Sequence, residues 1–66
     1  MTPRQRSFVA EYLLDLNGMQ AAIRAGYSPD NANSYAVTLL RIPHVAEAIE
    51  RGKAQRLHRV NLKQDD

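Results

Sequence analysis

The run from Asn17 to Pro43, NGMQAAIRAGYSPDNANSYAVTLLRIP, reads as two helices joined by a glycine turn. Met19 to Ala25 forms a short helix with Met19, Ala22 and Ile23 facing inward and Gln20 and Arg24 outward. Gly26 ends it and Tyr27 follows. Ser28-Pro29 then starts a second helix, with Ser as N-cap and Pro at the first helical position, where its missing N–H costs nothing. At about 100° per residue, Ala32, Tyr35, Ala36, Leu39 and Leu40 share the inner face of that helix. Asp30, Ser34, Val37 and Arg41 lie opposite, flanked by Asn31, Asn33 and Thr38. Ile42-Pro43 ends the run, because the residue before a proline is pushed out of the α region. A helix-turn-helix needs a small residue where the helices cross, a glycine free to take positive φ in the turn, and apolar anchors after it. Ala22, Gly26 and the pair Ala32 and Tyr35 supply these, although a purely structural corner of two helices shares the first two requirements.

The flanking segments fit around this unit. Thr2-Pro3 opens a first helix, and Gln5 completes a capping box with Thr2. Phe8, Val9, Tyr12, Leu13 and Leu16 make its apolar stripe, Leu14 lies off the stripe where a neighbouring chain can meet it, and Asn17-Gly18 stops the helix, since both residues tolerate the left-handed conformation of a helix end. After Pro43 a fourth helix carries Val45, Ala48 and Ile49 on its inner face. Glu47 and Glu50 lie in its early turns and basic residues in its later ones, the polarity a helix dipole favours. Gly18, Gly26 and Gly52 all read as helix punctuation. Beyond Gly52 the apolar content thins to Leu57, Val60 and Leu62, and that end is expected to be exposed, frayed or paired with another chain. No stretch alternates with period two. The expected fold is all-α: a compact bundle of about four helices (about 3–16, 19–25, 29–41 and 44–60) containing a helix-turn-helix.

Sixty-six residues with 44% hydrophobic, 24% charged and no Cys allow one small domain, with no disulfide or Cys-based metal staple. No nucleophile with a base, metal cluster or glycine-rich phosphate cradle is found, so an enzyme is not expected and no cofactor is implied. His44 and His58 lack Cys or carboxylate partners at ligand spacing. No membrane span or signal-peptide core is present, and the chain is read as soluble and intracellular. The net charge of +2 and a pI near 9.4 point only weakly to nucleic acid. The distribution says more: Arg51, Lys53, Arg56, Arg59 and Lys63 follow one another without an acid, as a solvated helix face or a strip facing phosphates.

Read as strings, Thr2-Pro3-Arg4-Gln5-Arg6 with Phe8-Val9-x-Glu11-Tyr12, the run from Asn17 to Ser28, and Leu39-Leu40-x-x-Pro43-x-Val45-x-Glu47-Ala48-Ile49 resemble the phage terminase small subunit family. The resemblance covers residues 2 to about 50, and the run from Asn17 to Ser28 is its most distinctive part. It implies a part of the viral genome-packaging motor: a helix-turn-helix domain over 2–50 that binds packaging-site double-stranded DNA and presents it to the terminase large subunit, which carries the ATPase and nuclease. It also implies a homo-oligomeric ring in the intact protein and action in the bacterial host cytoplasm. Residues 51–66 are then a basic helical extension or linker toward an oligomerisation region, and the chain is expected to be a DNA-binding fragment that can stand as a monomer. Gly18-Met19 departs from the family's usual small residue followed by Thr, which weakens the expected cap of the second helix.

Candidate DNA contacts follow from side-chain chemistry. Ser34 and Asn33 can exchange hydrogen bonds with base edges, Asn31 can pair with adenine, Val37 can touch a thymine methyl, Arg41 can hold guanine or phosphate, and Thr38 flanks the same face. Arg4, Arg6 and Arg24 are candidate phosphate clamps, since the helices before the reading helix cross the backbone in such modules. A solvated helix face explains the same residues without DNA, and Asp30 repels phosphate. Tyr12, Tyr27 and Tyr35 are assigned to the core. Two other functions stay open: a helical assembly adaptor that binds protein rather than DNA, favoured by exposed Leu14 and Val37, and a helix-turn-helix transcriptional regulator.

Overall fold

The computed structural model describes the backbone of residues 1–65 and the side chains of residues 1–55. The described residues form four α-helices and one 3₁₀ turn, with no strand among them: α1 (Pro3–Asp15), α2 (Gly18–Arg24), a 3₁₀ turn (Pro29–Asn31), α3 (Ala32–Arg41) and α4 (Pro43–Asp65). This is the all-α bundle expected from the periodicity.

Local chemistry explains most of the boundaries. At α1 the Thr2 hydroxyl accepts from the Gln5 N–H at 3.1 Å and the Gln5 side chain accepts from the Thr2 N–H at 3.1 Å, a closed capping box. At the end of α2 the Tyr27 N–H donates to the Ala22 carbonyl and the Gly26 N–H to the Ile23 carbonyl, with Gly26 at φ +104. This is a Schellman closure, and it requires the glycine. Ile42 leaves the helical region at ψ 121 while its carbonyl accepts from Val45 and Ala46, so one pre-proline residue ends α3 and starts α4.

The end of α1 differs from the expectation. Neither Asn17 nor Gly18 takes the left-handed conformation; Leu16 does, at φ 57, and it is half exposed rather than part of the stripe. Asn17 is needed elsewhere. Its side chain caps α2 by accepting from the Gln20 N–H at 3.1 Å, which holds its backbone extended and moves the reversal one residue back. The same bond supplies a cap that the Gly18-Met19 departure put in doubt.

The core is Phe8, Val9, Ala21, Ala22, Ala32, Ala36, Leu39, Val45 and Ile49. Alanines from α2 and α3 make up four of these nine, so those helices meet closely, and a Cβ placed on Gly18 would lie 3.1 Å from that of Ala36. This corrects two inward assignments. Met19 is exposed, and Ala21 takes its place beside Ala22, because a helix contact this close has room for alanine but not for methionine. Tyr35 is 41% exposed, and the anchors of α3 are Ala32, Ala36 and Leu39. Tyr12 and Tyr27 are partly buried, and Phe8 stacks on Tyr12 at 5.7 Å. Leu14, as expected, is exposed.

α4 runs through Gly52 without a break, so this glycine is not punctuation. A Cβ there would drive into the Leu13 side chain of α1, with the Leu13 Cγ at 3.2 Å. Glu47–Arg51 and Glu50–Lys53 ion pairs run along the exposed side of α4. Leu57, Val60, Leu62, Arg56, Arg59 and Lys63 lie outside the residues whose side chains are described.

Gly52→Ala separates two opposed effects. In an open helix the change gains about 1 kcal/mol of propensity. Crowding against Leu13, which packs on the core, costs roughly 1–3 kcal/mol. Net destabilisation by denaturant unfolding is expected, with recovery when Leu13→Ala is added; a more stable single variant would show that α1 and α4 do not meet there.

Candidate nucleic-acid interface

α3 is held by its buried face and leaves the other free. Ser28 starts the segment through its backbone: its carbonyl accepts from the Asn31 N–H at 3.1 Å, closing the 3₁₀ turn, while its side chain makes no capping bond. Ala32, Ala36 and Leu39 then fix the rotation of α3 about its axis. As a result Asp30, Asn31, Asn33, Ser34, Val37, Thr38 and Arg41 are all exposed. The structure thus places every candidate of the outer face at the surface of one segment. It presents short polar side chains with one guanidinium at its end.

The arginines of the other helices fall into two groups. Arg24, at the end of α2, donates from Nε to Glu11 at 2.6 Å and from Nη2 to Asp15 at 3.3 Å, and also to the Glu11 carbonyl. It ties α2 to the C-terminal half of α1. Glu11 and Asp15 are four residues apart on one helix face, a signal in the sequence that an arginine on the adjoining helix would be captured. Arg4 and Arg6, at the N-terminal half of α1, carry no ion pair among the described residues, and neither does Arg41. Arg6 is exposed, with no side-chain bond to α3 among the described residues. Arg4 lies over the Tyr27 ring, its guanidinium carbon 5.4 Å from the ring centre. Gln5 lies 3.4 Å from His44, which joins the start of α1 to the start of α4 just beyond Arg41.

Charge is therefore divided along the molecule. Around Glu11, Asp15 and Arg24 the acids outnumber the base, whereas Arg4, Arg6 and Arg41 are cations without carboxylate partners among the described residues. The Asp15 carboxyl is held below its ordinary value, first by the Asn17 N–H that donates to it at 3.1 Å, then by Arg24; burial opposes the shift. Arg24 is raised above its ordinary value, chiefly by its bond to Glu11. Beside α3 lies a shallow groove whose walls include Leu16, Met19, Val37, Leu40 and Asp15. Among the described residues no group of His, Cys, Asp or Glu is placed to hold a metal ion, and no helix is long and apolar enough to cross a membrane.

These features describe a small helical module whose second short helix is displayed outward. Over residues 1–66 the chain matches the terminase small subunit family, and it belongs to that family. It is 36% identical over its whole length to the PBSX phage terminase small subunit of Bacillus subtilis (strain 168), covering 25% of that protein. It is 42% identical over 55 residues, 82% of the chain, to the terminase small subunit of Bacillus phage SPP1, covering 37% of it. With that of Staphylococcus phage 80alpha it shares 45% over 51 residues, 76% of the chain and 35% of the relative. The chain thus spans well under half the length of these relatives. No solved structure matched significantly.

The Asp15 shift fixes a sign. The folded protein holds Asp15 more acidic than the unfolded chain does, so it binds fewer protons in this range. The resulting stabilisation is complete above the ordinary value of 3.8 and is lost as pH falls through the lowered folded value. Asp15→Asn is expected to lower stability at neutral pH and to reduce the further loss on acidification. Urea midpoints measured across the acid range test this; curves parallel to the parent's would contradict it.

Proposed function

We propose that this chain is the DNA-recognition module of a phage packaging apparatus, in which α2, the Gly26 turn and α3 act as a helix-turn-helix. α3 enters the major groove of packaging-site duplex and the subunit delivers that DNA to the terminase large subunit. The observation that carries this reading is the outer face of α3. Asn33, Ser34 and Thr38 offer short donors and acceptors for base edges, Asn31 stands at the entry, Val37 suits a thymine methyl, and Arg41 reaches guanine or phosphate. Arg4 and Arg6 supply phosphate contacts from α1. Arg24 serves first as the tie between α1 and α2, and it reaches phosphate only when released by Glu11 and Asp15. Membership in the terminase small subunit family supports the packaging role over a transcriptional one.

In this reading the module is non-catalytic, with ATPase and nuclease in the large subunit, and it works in the bacterial host cytoplasm during phage assembly. In the intact protein, copies in a ring add affinity by presenting many modules at once. A single module binds duplex with roughly micromolar or weaker affinity. The exposed Leu16, Met19 and Val37 beside α3 favour one second reading, an adaptor whose groove takes a protein partner.

Titration of duplex at several salt concentrations, with packaging-site and scrambled sequences compared, separates the two. Arg41→Ala is expected to reduce the slope of log affinity against log salt by about 0.9, one phosphate contact. Asn33→Ala and Ser34→Ala are expected to cost about 1–3 kcal/mol at the base pair each reads and to narrow the preference. Parent affinity in all three variants would overturn the assignment, and binding absent even at low salt would favour the adaptor.

A further inference from the structure

An arginine on one helix and two tyrosines from the turn and from α3 form a continuous stack that the helical pattern did not foretell. The Arg4 guanidinium carbon lies 5.4 Å from the Tyr27 ring centre, and Tyr27 meets the Tyr35 ring at 4.8 Å and 36°. Gly26 shapes this through its backbone. Its φ of +104, which residues with a side chain rarely adopt, leads the chain into Tyr27 beside α1, whereas a Cβ there would only come into ordinary contact with Arg4 Nε at 3.7 Å. Tyr35 is 41% exposed in the middle of α3, so the stack runs from the reading helix to the first turn of α1.

A free arginine side chain must lose several rotatable bonds to hold one phosphate, and that loss weakens a surface contact. A guanidinium laid on an aromatic face is already confined and still keeps its N–H edge free for hydrogen bonds, because the ring engages only its flat side. No carboxylate competes for Arg4 among the described residues. Thr2 and Gln5, which line the same shallow depression, are closed on each other as the capping box and do not take up those donors.

We propose that Tyr27, buttressed by Tyr35, is a positioning residue that holds Arg4 toward a backbone phosphate beside the groove entered by α3. This rests on the reading of α3 as the duplex-reading helix. A phosphate contact is independent of sequence, so a short mixed-sequence duplex serves as the probe.

The test measures the affinity of the 66-residue chain and its variants across salt concentrations. Arg4→Ala is expected to lower the salt slope by about 0.9. Tyr27→Leu should weaken binding about two- to fivefold at low salt, the size of an exposed cation–π contact, while Tyr27→Phe keeps parent affinity because the ring and not the hydroxyl acts. In the Arg4→Ala background Tyr27→Leu should cost nothing more. An unchanged affinity for Tyr27→Leu, or an equal loss with and without Arg4, overturns the proposal. Circular dichroism and the thermal midpoint check that each variant folds. Should Tyr27→Leu unfold, Arg4→Lys carries the test: it keeps the charge without the flat stack and should lose about two- to fivefold, whereas parent affinity overturns the proposal. If the parent binds, Arg41→Ala weakens it and Arg4→Ala does not, this inference alone fails. If the parent shows no salt-sensitive binding, the reading of α3 fails and the inference falls with it.

Discussion

The close contact of α2 and α3 through Ala21, Ala22, Ala32 and Ala36 is the constraint on which the rest of the molecule depends. Alanine buries little area, so such a core gains less from each residue than one built of leucine. In return the helices can approach closely, and Phe8, Val9, Leu39, Val45 and Ile49 close the remaining space from α1, α3 and α4. The rotation of α3 is set by which of its alanines face α2. Turning α3 by one residue would bring Asn33 or Val37 against α2 and lift Ala32 or Ala36 into water. The polar outer face and the small-residue inner face are thus two aspects of one packing solution.

The same arrangement sorts the charges. With α2 held against α1, Arg24 falls between Glu11 and Asp15, and one cation is spent on holding two helices in place. At the other end of α1 neither Arg4 nor Arg6 makes an ion pair among the described residues, and Arg4 lies over a ring instead. Among the described residues Arg4, Arg6 and Arg41 thus keep no carboxylate partner, while Glu11 and Asp15 outnumber Arg24 at their end of α1. On the proposed reading, orientation on duplex follows from that asymmetry more than from the total of +2.

Much of this was legible in the sequence because it is local. The capping box at Thr2 and Gln5, the turn at Gly26, and the break at Ile42-Pro43 each depend on residues a few positions apart, and each stands in the structure as the sequence predicts. Periodicity likewise places Asn33, Ser34, Val37, Thr38 and Arg41 on the exposed side of α3, although it turns Tyr35 inward where the structure leaves it 41% exposed. What was misread depends on contacts distant in the chain. Met19 outranks Ala21 in hydrophobicity, and only the nearness of α3 excludes it. Gly52 resembles a helix end until Leu13 is set against it. Leu16 takes the left-handed position because Asn17 is already engaged as a cap, a competition between neighbouring helices that a residue-by-residue reading misses. The capture of Arg24 was foreshadowed by the spacing of Glu11 and Asp15, but the stack of Arg4, Tyr27 and Tyr35 joins three elements and leaves no periodic trace.

The most direct measurement is to follow the backbone amide resonances of the 66-residue chain as packaging-site duplex is added. If α3 is the reading helix, the largest changes fall on Asn33, Ser34, Val37, Thr38 and Arg41, with smaller ones at Arg4 and Arg6, and they fade as salt is raised. Changes centred on Glu11, Asp15 and Arg24, or none on α3, would contradict it.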